Sequence, residues 1–513
     1  MICTKQKIGA DKMQRFMQII SNTMDFVAKN ILKIVFTLVF IVGLIIKPMY
    51  CFDDSPYFEI VKWTDIIVGI FVIAIFAIIY KKRDFIQEHF KYIYGFIIFV
   101  LISCAFIILV PLKPFSDMQY IYQSAVDFAN FNWNDIMAGE YWQKFSSNIY
   151  LGVFWGVLIM FLPKKLITFK LINMLFAFGI IYFTGKLCKE YGYKYDKVIY
   201  FMLIFFSPII LYENHIYCEM PFVFLCTIAL YVWKKYKNIY AFAGIIGVAR
   251  YLRSNATIFL LAVMFAILFS GIKEKVNIKF WMKKIVNIIS MFLIFVAIFK
   301  VLIFAVDSKF DRSEFKQYPK WNQFYIGINE TEFGFMDNDF SYDRTLQDVI
   351  DRVKEYGPVR MAKIFVKKIH WTWMQGTYQA DRYGFGINTI SEEEKFEYST
   401  IATKHLLNDS QRTRKIINAF MRDQYVVLFF LMIVMLWKNK DISDKREIYY
   451  VIIATFLTLI IYEMKSRFIF HCIPLMAILA CGAFEIDISK LEVVKAKRFK
   501  RPKWRVCEKF SVN

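Results

Sequence analysis

Four short stretches of this 513-residue chain set carboxylates, cations and tyrosines beside long apolar runs. The first is SDMQYIYQSAVDF, in which Asp117 is followed by Tyr120 and Tyr122. A carboxylate there can take a proton from an acceptor hydroxyl; the plain alternative is a solvated loop carboxylate. Asp127, Asp135 and Glu140 follow in the same loop as weaker alternatives. The second stretch, YENHIYCEMPFVF, offers Glu213, His215, Tyr217 and Glu219. Pro221 suits a helix start, and a carboxylate just before it is stabilised by the helix N-terminus. Glu219 therefore either caps a helix or faces Asp117 across a cavity. A lone His215 reads more simply as a hydrogen-bonding residue than as a metal ligand, since metal sites need several ligands. The third stretch, ARYLRSNATIFLLA, carries Arg250 and Arg253 between two short apolar runs. Arginine at membrane level is costly unless paired or near headgroups. It either snorkels to lipid phosphate or clamps a substrate phosphate, which its planar fork suits. The fourth, YEMKSRFIFHCIPLMAILA, groups Glu463, Lys465, Arg467 and His471 under the same two alternatives.

The elements that must position these residues are membrane helices. The chain is 58% hydrophobic with 55 Phe, more apolar surface than a soluble core can hide. Many runs approach the roughly 20 apolar residues that cross a bilayer, and a spanning segment must satisfy its own backbone, which predicts helices. The formal net charge of +22 comes mainly from Lys and Arg between the apolar runs and at both ends. That is the positive-inside pattern, and it suits anionic headgroups better than a nucleic-acid footprint.

Spans are expected at about 31–48, 65–80, 92–111, 168–187, 198–213, 220–234, 238–250, 256–270, 284–306, 424–437, 447–463 and 468–485. The apolar NIYLGVFWGVLIMFLP at 148–163 reads as a re-entrant or interfacial piece, because that choice keeps the basic loops KLCKEYGYKYDK, WKKYKN, GIKEKVNIKFWMKK and WKNKDISDKRE on the cytoplasmic side. The result is about twelve spans with both termini cytoplasmic. All four residue groups then converge on the outer face, which points to a membrane-level cavity for a lipid phosphate. The expected organisation is a basic cytoplasmic arm at 1–30, N-terminal helices at 31–111, and a core at 112–306 with its external loop at 112–167. An external region at 307–423, C-terminal helices at 424–485 and a basic tail at 486–513 complete it. Trp371 and Trp373, in an amphipathic run near 358–375, read as interface residues. Cys104, Cys226, Cys472 and Cys481 read as small buried hydrophobes, and no CxxC or zinc-spaced Cys/His cluster occurs.

The chain carries no GxxxxGK[ST] and no GxSxG. No run holds the internal series of charges expected of a proton-coupled transporter. In order along the chain come Asp117 in SDMQYIYQSA, the piece YWQKFSSNIYLGVFW, Asn173 in LINMLF, HIYCEMP, YLRSNATIF, WNQFYIGINETEFGF, WMQGT, and Glu463 and Arg467 before Pro474. This order resembles the membrane-embedded glycosyltransferases of the GT-C superfamily, especially bacterial relatives of protein O-mannosyltransferases and aminoarabinose lipid A transferases. Three of the expected spans precede the Asp117 loop where that superfamily often has one, and Met118 stands where some mannosyltransferases have a second acidic residue.

The resemblance implies an all-α polytopic protein of the bacterial cytoplasmic membrane that transfers a sugar, hexosyltransferase-like, on the outer face. The donor would be a polyprenyl-phosphate-linked sugar. The acceptor would be a hydroxyl on a surface glycan, teichoic acid, lipid or protein. Asp117 would be the general base and Glu219 would orient the acceptor or a cation. Arg253, with Arg250 or Arg467, would bind the leaving phosphate, and Tyr120, Tyr122, His215 and Glu463 would line the substrate site. Membrane lipids are implied as partners and nucleic acid is not. Some branches use a divalent metal and others none; this sequence offers no clear ligand set. A transporter or flippase of lipid-linked sugars and a surface-polysaccharide polymerase are the alternative functions.

Overall fold

The computed structural model describes residues 2–50, 55–133, 136, 139–271, 278–310, 318–335, 339–386, 395–408 and 410–487. Asp135 and the tail beyond Asp487 lie outside them, as do 272–277 and parts of the 307–423 region. The chain opens with α1 (Ile2–Gly43), which runs unbroken through the expected arm into the first apolar run. Helix stops at Gly43, short of 48, because the residue before Pro48 is biased to extended backbone. The chain enters β1 (Ile46–Tyr50), paired antiparallel with β2 (Pro56–Ile60) so that Ile46 faces Ile60 and Tyr50 faces Pro56. This hairpin was not foreseen. Lys47 on β1 ties it to the next helix through an ion pair to Asp65 at 2.8 Å and ties the two strands together through one to Glu59 of β2 at 3.2 Å.

Helices α2 (Trp63–Lys81), α3 (Arg83–His89) and α4 (Tyr92–Leu109) follow. The expected external loop 112–167 contains three helices of its own: α5 (Asp117–Ala129), α6 (Glu140–Phe145) and α7 (Ile149–Ile159). The bundle resumes with α8 (Leu166–Glu190), α9 (Asp196–Ile204) and α10 (Ser207–Leu211). The last two replace one expected run at 198–213. Pro208 has no amide N–H to continue the helix, and Gln424 takes up the backbone groups freed there, accepting from the Ser207 amide at 3.0 Å and donating to the Phe205 carbonyl at 2.8 Å. Helices α11 (Glu219–Tyr236), α12 (Ile239–Leu252), α13 (Ala256–Phe269) and α14 (Ile278–Asp307) come next.

The 307–423 region carries α15 (Trp321–Gly327), α16 (Leu346–Met374), α17 (Ala380–Phe385) and α18 (Ile401–Asn408). Helix α16 is broken at Gly357, whose φ of 64° only glycine adopts freely, and Pro358 follows. Helices α19 (Ser410–Lys438), α20 (Arg446–Ile461) and α21 (Cys472–Cys481) close the fold.

Among the described residues, six helices are long and apolar enough to cross a membrane: Gln14–Gly43 in α1, α2, α4, α8, Lys279–Asp307 in α14 and Lys415–Lys438 in α19. Only 11% of the apolar window of α2, and the same share of α14, is buried inside the protein. Ile67, Ile70 and Phe71 of α2 and Leu293, Val301 and Phe304 of α14 face outward. Apolar surface of that extent needs a lipid or protein cover, and the chain is a helical, membrane-embedded protein. Of the other expected spans, 220–234 falls on α11, equal to α4 in length but carrying Glu219, Lys234 and Lys235, and the rest fall on shorter helices.

The main core gathers Phe36 of α1 against Trp373 at 4.6 Å and Phe429 at 5.1 Å. Trp371 and Trp373 are therefore not interface residues. Both are fully buried, and the Trp371 indole donates to the Met49 carbonyl at 2.8 Å. The reach of α16 back over β1 puts them under protein. Cys226, Cys472 and Cys481 are buried and Cys104 is half-buried.

Candidate functional site

The end of the bundle that carries the β-hairpin also carries the residues singled out from the sequence. The chain leaving α4 is pinned there by the segment 395–400. Leu112 bridges Phe396, and the Thr400 hydroxyl donates to the Leu109 carbonyl at 2.6 Å. Lys170 of α8 donates to the Leu112 carbonyl at 2.8 Å. Ser116 then takes a left-handed φ of 51°, a conformation costly for a residue with a Cβ and typical of functional turns. Asp117 follows as the first residue of α5, half-buried. Helix α5 rests on α7 through Gly152 and Gly156, where a methyl group would run into Ser124 and Phe128. The 11-residue α7 is about 16 Å long, too short for a bilayer core of about 30 Å.

Asp117 neighbours the Tyr141 phenol, whose hydroxyl receives a hydrogen bond from Asn148 Nδ2 at 2.5 Å. Burial, then the Asp117 charge, push the Tyr141 phenol far above its ordinary range, so it remains a donor. Tyr217 lies on the other side. Burial and then Asp117 raise its pKa in the same way, and its ring is 5.4 Å from the Arg467 guanidinium carbon. Tyr217 is thus the neighbour shared by Asp117 and the cationic group beyond.

That group centres on Glu219, the first residue of α11. Arg253 donates to its Oε1 at 3.0 Å, Arg467 Nε is 3.9 Å from the same oxygen, and His215 Nδ1 is 3.4 Å from Oε2. Asn173 of α8 shapes the turn, donating to the carbonyls of Glu213 at 3.3 Å and His215 at 2.9 Å. Arg253 leaves α12 in extended backbone, which turns its side chain toward Glu219. Its guanidinium also lies 4.8 Å above the Phe468 ring. Arg467 sits between Tyr217 and Tyr383, 5.2 Å from the latter. Its Nε has no hydrogen-bond partner among the described residues.

Burial works against the Glu219 charge, but the cations reverse it, and its pKa falls below the carboxylate range. Arg467 and Arg253 supply that field, because His215 is itself neutral. Burial, aided by the same two arginines, pushes the His215 imidazole down to about 3. Neither His215 nitrogen has a hydrogen bond among the described residues, contrary to its expected role, and its ring packs 4.2 Å from Tyr383. Two guanidinium groups against one buried ionised carboxylate leave an excess positive charge, which suits an anion such as a phosphate.

The structure separates the remaining sequence candidates. Arg250 lies over Phe299 of α14 at 4.8 Å, away from Glu219. Glu463 pairs with Lys465 at 2.9 Å and neighbours the buried Lys368. Tyr120 stacks on Tyr141 at 4.0 Å, whereas Tyr122, two positions on, packs 5.0 Å from Phe169 on the other flank of α5. Asp127 is held by the Gln123 amide at 3.1 Å, and Glu140 opens α6 at the exposed surface. His471 is buried against Thr455 at 3.0 Å. Sequence reasoning did not single out Tyr141, although it opens the quoted piece YWQKFSSNIYLGVFW, or Tyr383, which lies in none of the quoted pieces.

Beside the cationic group opens an apolar cavity of about 750 Å³, lined by Trp321, Phe324, Val353, Met361, Phe365 and Ile461 among others. Tyr462 bridges the two, its ring 5.5 Å from Phe324 on one side and 6.3 Å from Phe468 on the other. No group of three or more His, Cys, Asp or Glu is arranged to hold a metal ion among the described residues. No family model, curated protein or solved structure matches the chain.

Proposed function

We propose that this protein is a membrane glycosyltransferase of the GT-C kind, moving a sugar from a polyprenyl-phosphate-linked donor to an acceptor hydroxyl on the outer face of a bacterial cytoplasmic membrane. The observation that carries the reading is the Arg253–Glu219–Arg467 group, set between Asp117 on one side and an apolar cavity on the other. The lipid tail would lie in the cavity and the phosphate on the guanidinium groups. Asp117 takes the proton of the acceptor hydroxyl as its oxygen attacks the anomeric carbon. The bond from that carbon to the phosphate oxygen breaks, and the electron pair leaves with the phosphate. Arg253 and Arg467 hold the charge that develops there, the electrostatic contribution that usually dominates. Tyr141 orients Asp117, and Glu219 holds the two arginines apart and in place. The reading includes about twelve passes, with the shorter helices completing them, and both termini in the cytoplasm.

One observation favours a second reading, a flippase of lipid-linked sugars. Glu213 is buried in the helical core, held by Ser103 of α4 at 2.6 Å, with its other oxygen lacking a hydrogen bond among the described residues. Buried carboxylates at membrane depth mark ion or substrate paths in transporters.

The deciding experiment supplies purified protein with a radiolabelled polyprenyl-phosphate sugar and cell-envelope acceptor, comparing wild type with Asp117→Asn. Transfer by the wild type, lost by at least about 100-fold in the variant with donor binding kept, is the expected result. Full activity in Asp117→Asn removes that residue as base. Translocation of the donor across vesicles without any transfer replaces the reading with the flippase.

A further inference from the structure

Beside Asp117 begins a strip of aromatic rings that runs toward α15, one of the helices lining the apolar cavity. Tyr120 lies parallel on Tyr141, centroids 4.0 Å apart and planes within 1°. Tyr141 meets Phe145 at 5.4 Å, and Phe145 meets Tyr318 at 6.2 Å. Tyr318 then packs on Tyr342 at 4.4 Å and Phe340 at 5.0 Å. Tyr120 is exposed and the other five rings are half-buried, so faces and edges remain open.

The far half of the strip is braced. Asn322 of α15 clasps Ser341, donating to its carbonyl at 2.8 Å and accepting from its amide at 2.9 Å. Arg344 and Arg352 lie 3.5 and 3.3 Å from the centre of the Tyr325 ring, and both pair with Asp339. Ordered, half-open rings joined across two segments distant in sequence have little use in packing alone.

We infer that this strip is a subsite for a saccharide chain, so that the acceptor presented to Asp117 is a glycan. The inference rests on the glycosyltransferase reading for its connection to catalysis. A sugar ring has an apolar C–H face and a rim of hydroxyls. Flat aromatic faces answer the first, and the tyrosine hydroxyls with the Asn148 amide answer the second. A lipid acceptor would favour the continuous apolar cavity beside Ile461 over half-polar rings. A peptide acceptor would favour an open strand edge, and no described backbone along the strip is extended into a strand.

The test is binding, independent of transfer. Protein in lipid nanodiscs is titrated calorimetrically with maltohexaose, chitohexaose, α-1,6-mannohexaose and a threonine-rich decapeptide. At least one hexasaccharide is expected to bind. Tyr120→Ala and Tyr342→Ala should each weaken it by about tenfold, the scale of one lost aromatic contact. Tyr120→Phe should keep most of the affinity. Unchanged melting temperatures show that the variants fold. Binding of no hexasaccharide, binding indifferent to both alanine variants, or binding of the peptide alone overturns the inference. Hexasaccharide binding by a protein that transfers no sugar leaves the subsite standing and removes the transferase reading.

Discussion

At the scale of single residues, the two arginines on Glu219 and the third one nearby make opposite predictions from similar sequence contexts. Arg253 and Arg467 converge on one carboxylate oxygen, while Arg250 lies over Phe299. Arg467→Ala should lower transfer by about 100-fold or more, equivalent to roughly 3 kcal/mol of lost charge stabilisation. Arg250→Ala should stay within about threefold of wild type in the same assay, a change of under 1 kcal/mol. Equal losses in both would detach the phosphate from this group. His215 adds nothing to the pH profile above pH 5, because burial keeps it neutral there.

At the scale of elements, Lys368 of α16 is a clamp. Its amine reaches the carbonyls of Gly327 at the end of α15 and Tyr462 just past α20, both at 2.5 Å. It thereby ties the 307–423 region to the bundle beside the apolar cavity. Burial, opposed by Glu463, lowers its pKa from 10.5 to about 7. A neutral amine still has two N–H groups for the two carbonyls. Between pH 7 and 10.5 the opened form binds the proton that the closed form has released, so closure strengthens as pH rises through that window. Lys368→Met should flatten this rise in thermal unfolding followed in detergent. It should also cost about 2–5 kcal/mol, from two buried carbonyls left without donors. A variant with the wild-type pH slope would show that the slope comes from elsewhere.

At the scale of the molecule, the exposed apolar faces of α2 and α14 set the boundary with lipid. The proposed orientation has the 307–423 region outside and the loop near 440 inside. Alkaline phosphatase fused after residue 310 should then be active and one fused after residue 440 inactive. The reverse result would invert the arrangement and put the Glu219 group on the cytoplasmic side.

The sequence by itself was enough to show that the chain is helical and built for a membrane, since apolar runs of that length have few other fates. It located α2, α4, α8 and α11 to within a few residues of their expected runs, whereas α19 begins well before its expected run at 424–437. It also singled out Glu219, Arg253 and Arg467, together with Arg250, as charges that either cap helices and snorkel to lipid or hold a substrate phosphate. It could not show that these three meet, or that Arg250 does not, because three positions of sequence separate Arg250 from Arg253 while an extended backbone turns them apart. Nor could it reveal the β-hairpin, the burial of Trp371 and Trp373 beneath it, or the return of segment 395–400 to pin the approach to Asp117. The last two depend on contacts between residues hundreds of positions apart, as between Met49 and Trp371 or Leu109 and Thr400, and the burial of the tryptophans depends on where the locally paired hairpin docks. Periodicity and local propensity carry no record of such pairings; only the packed structure decides them.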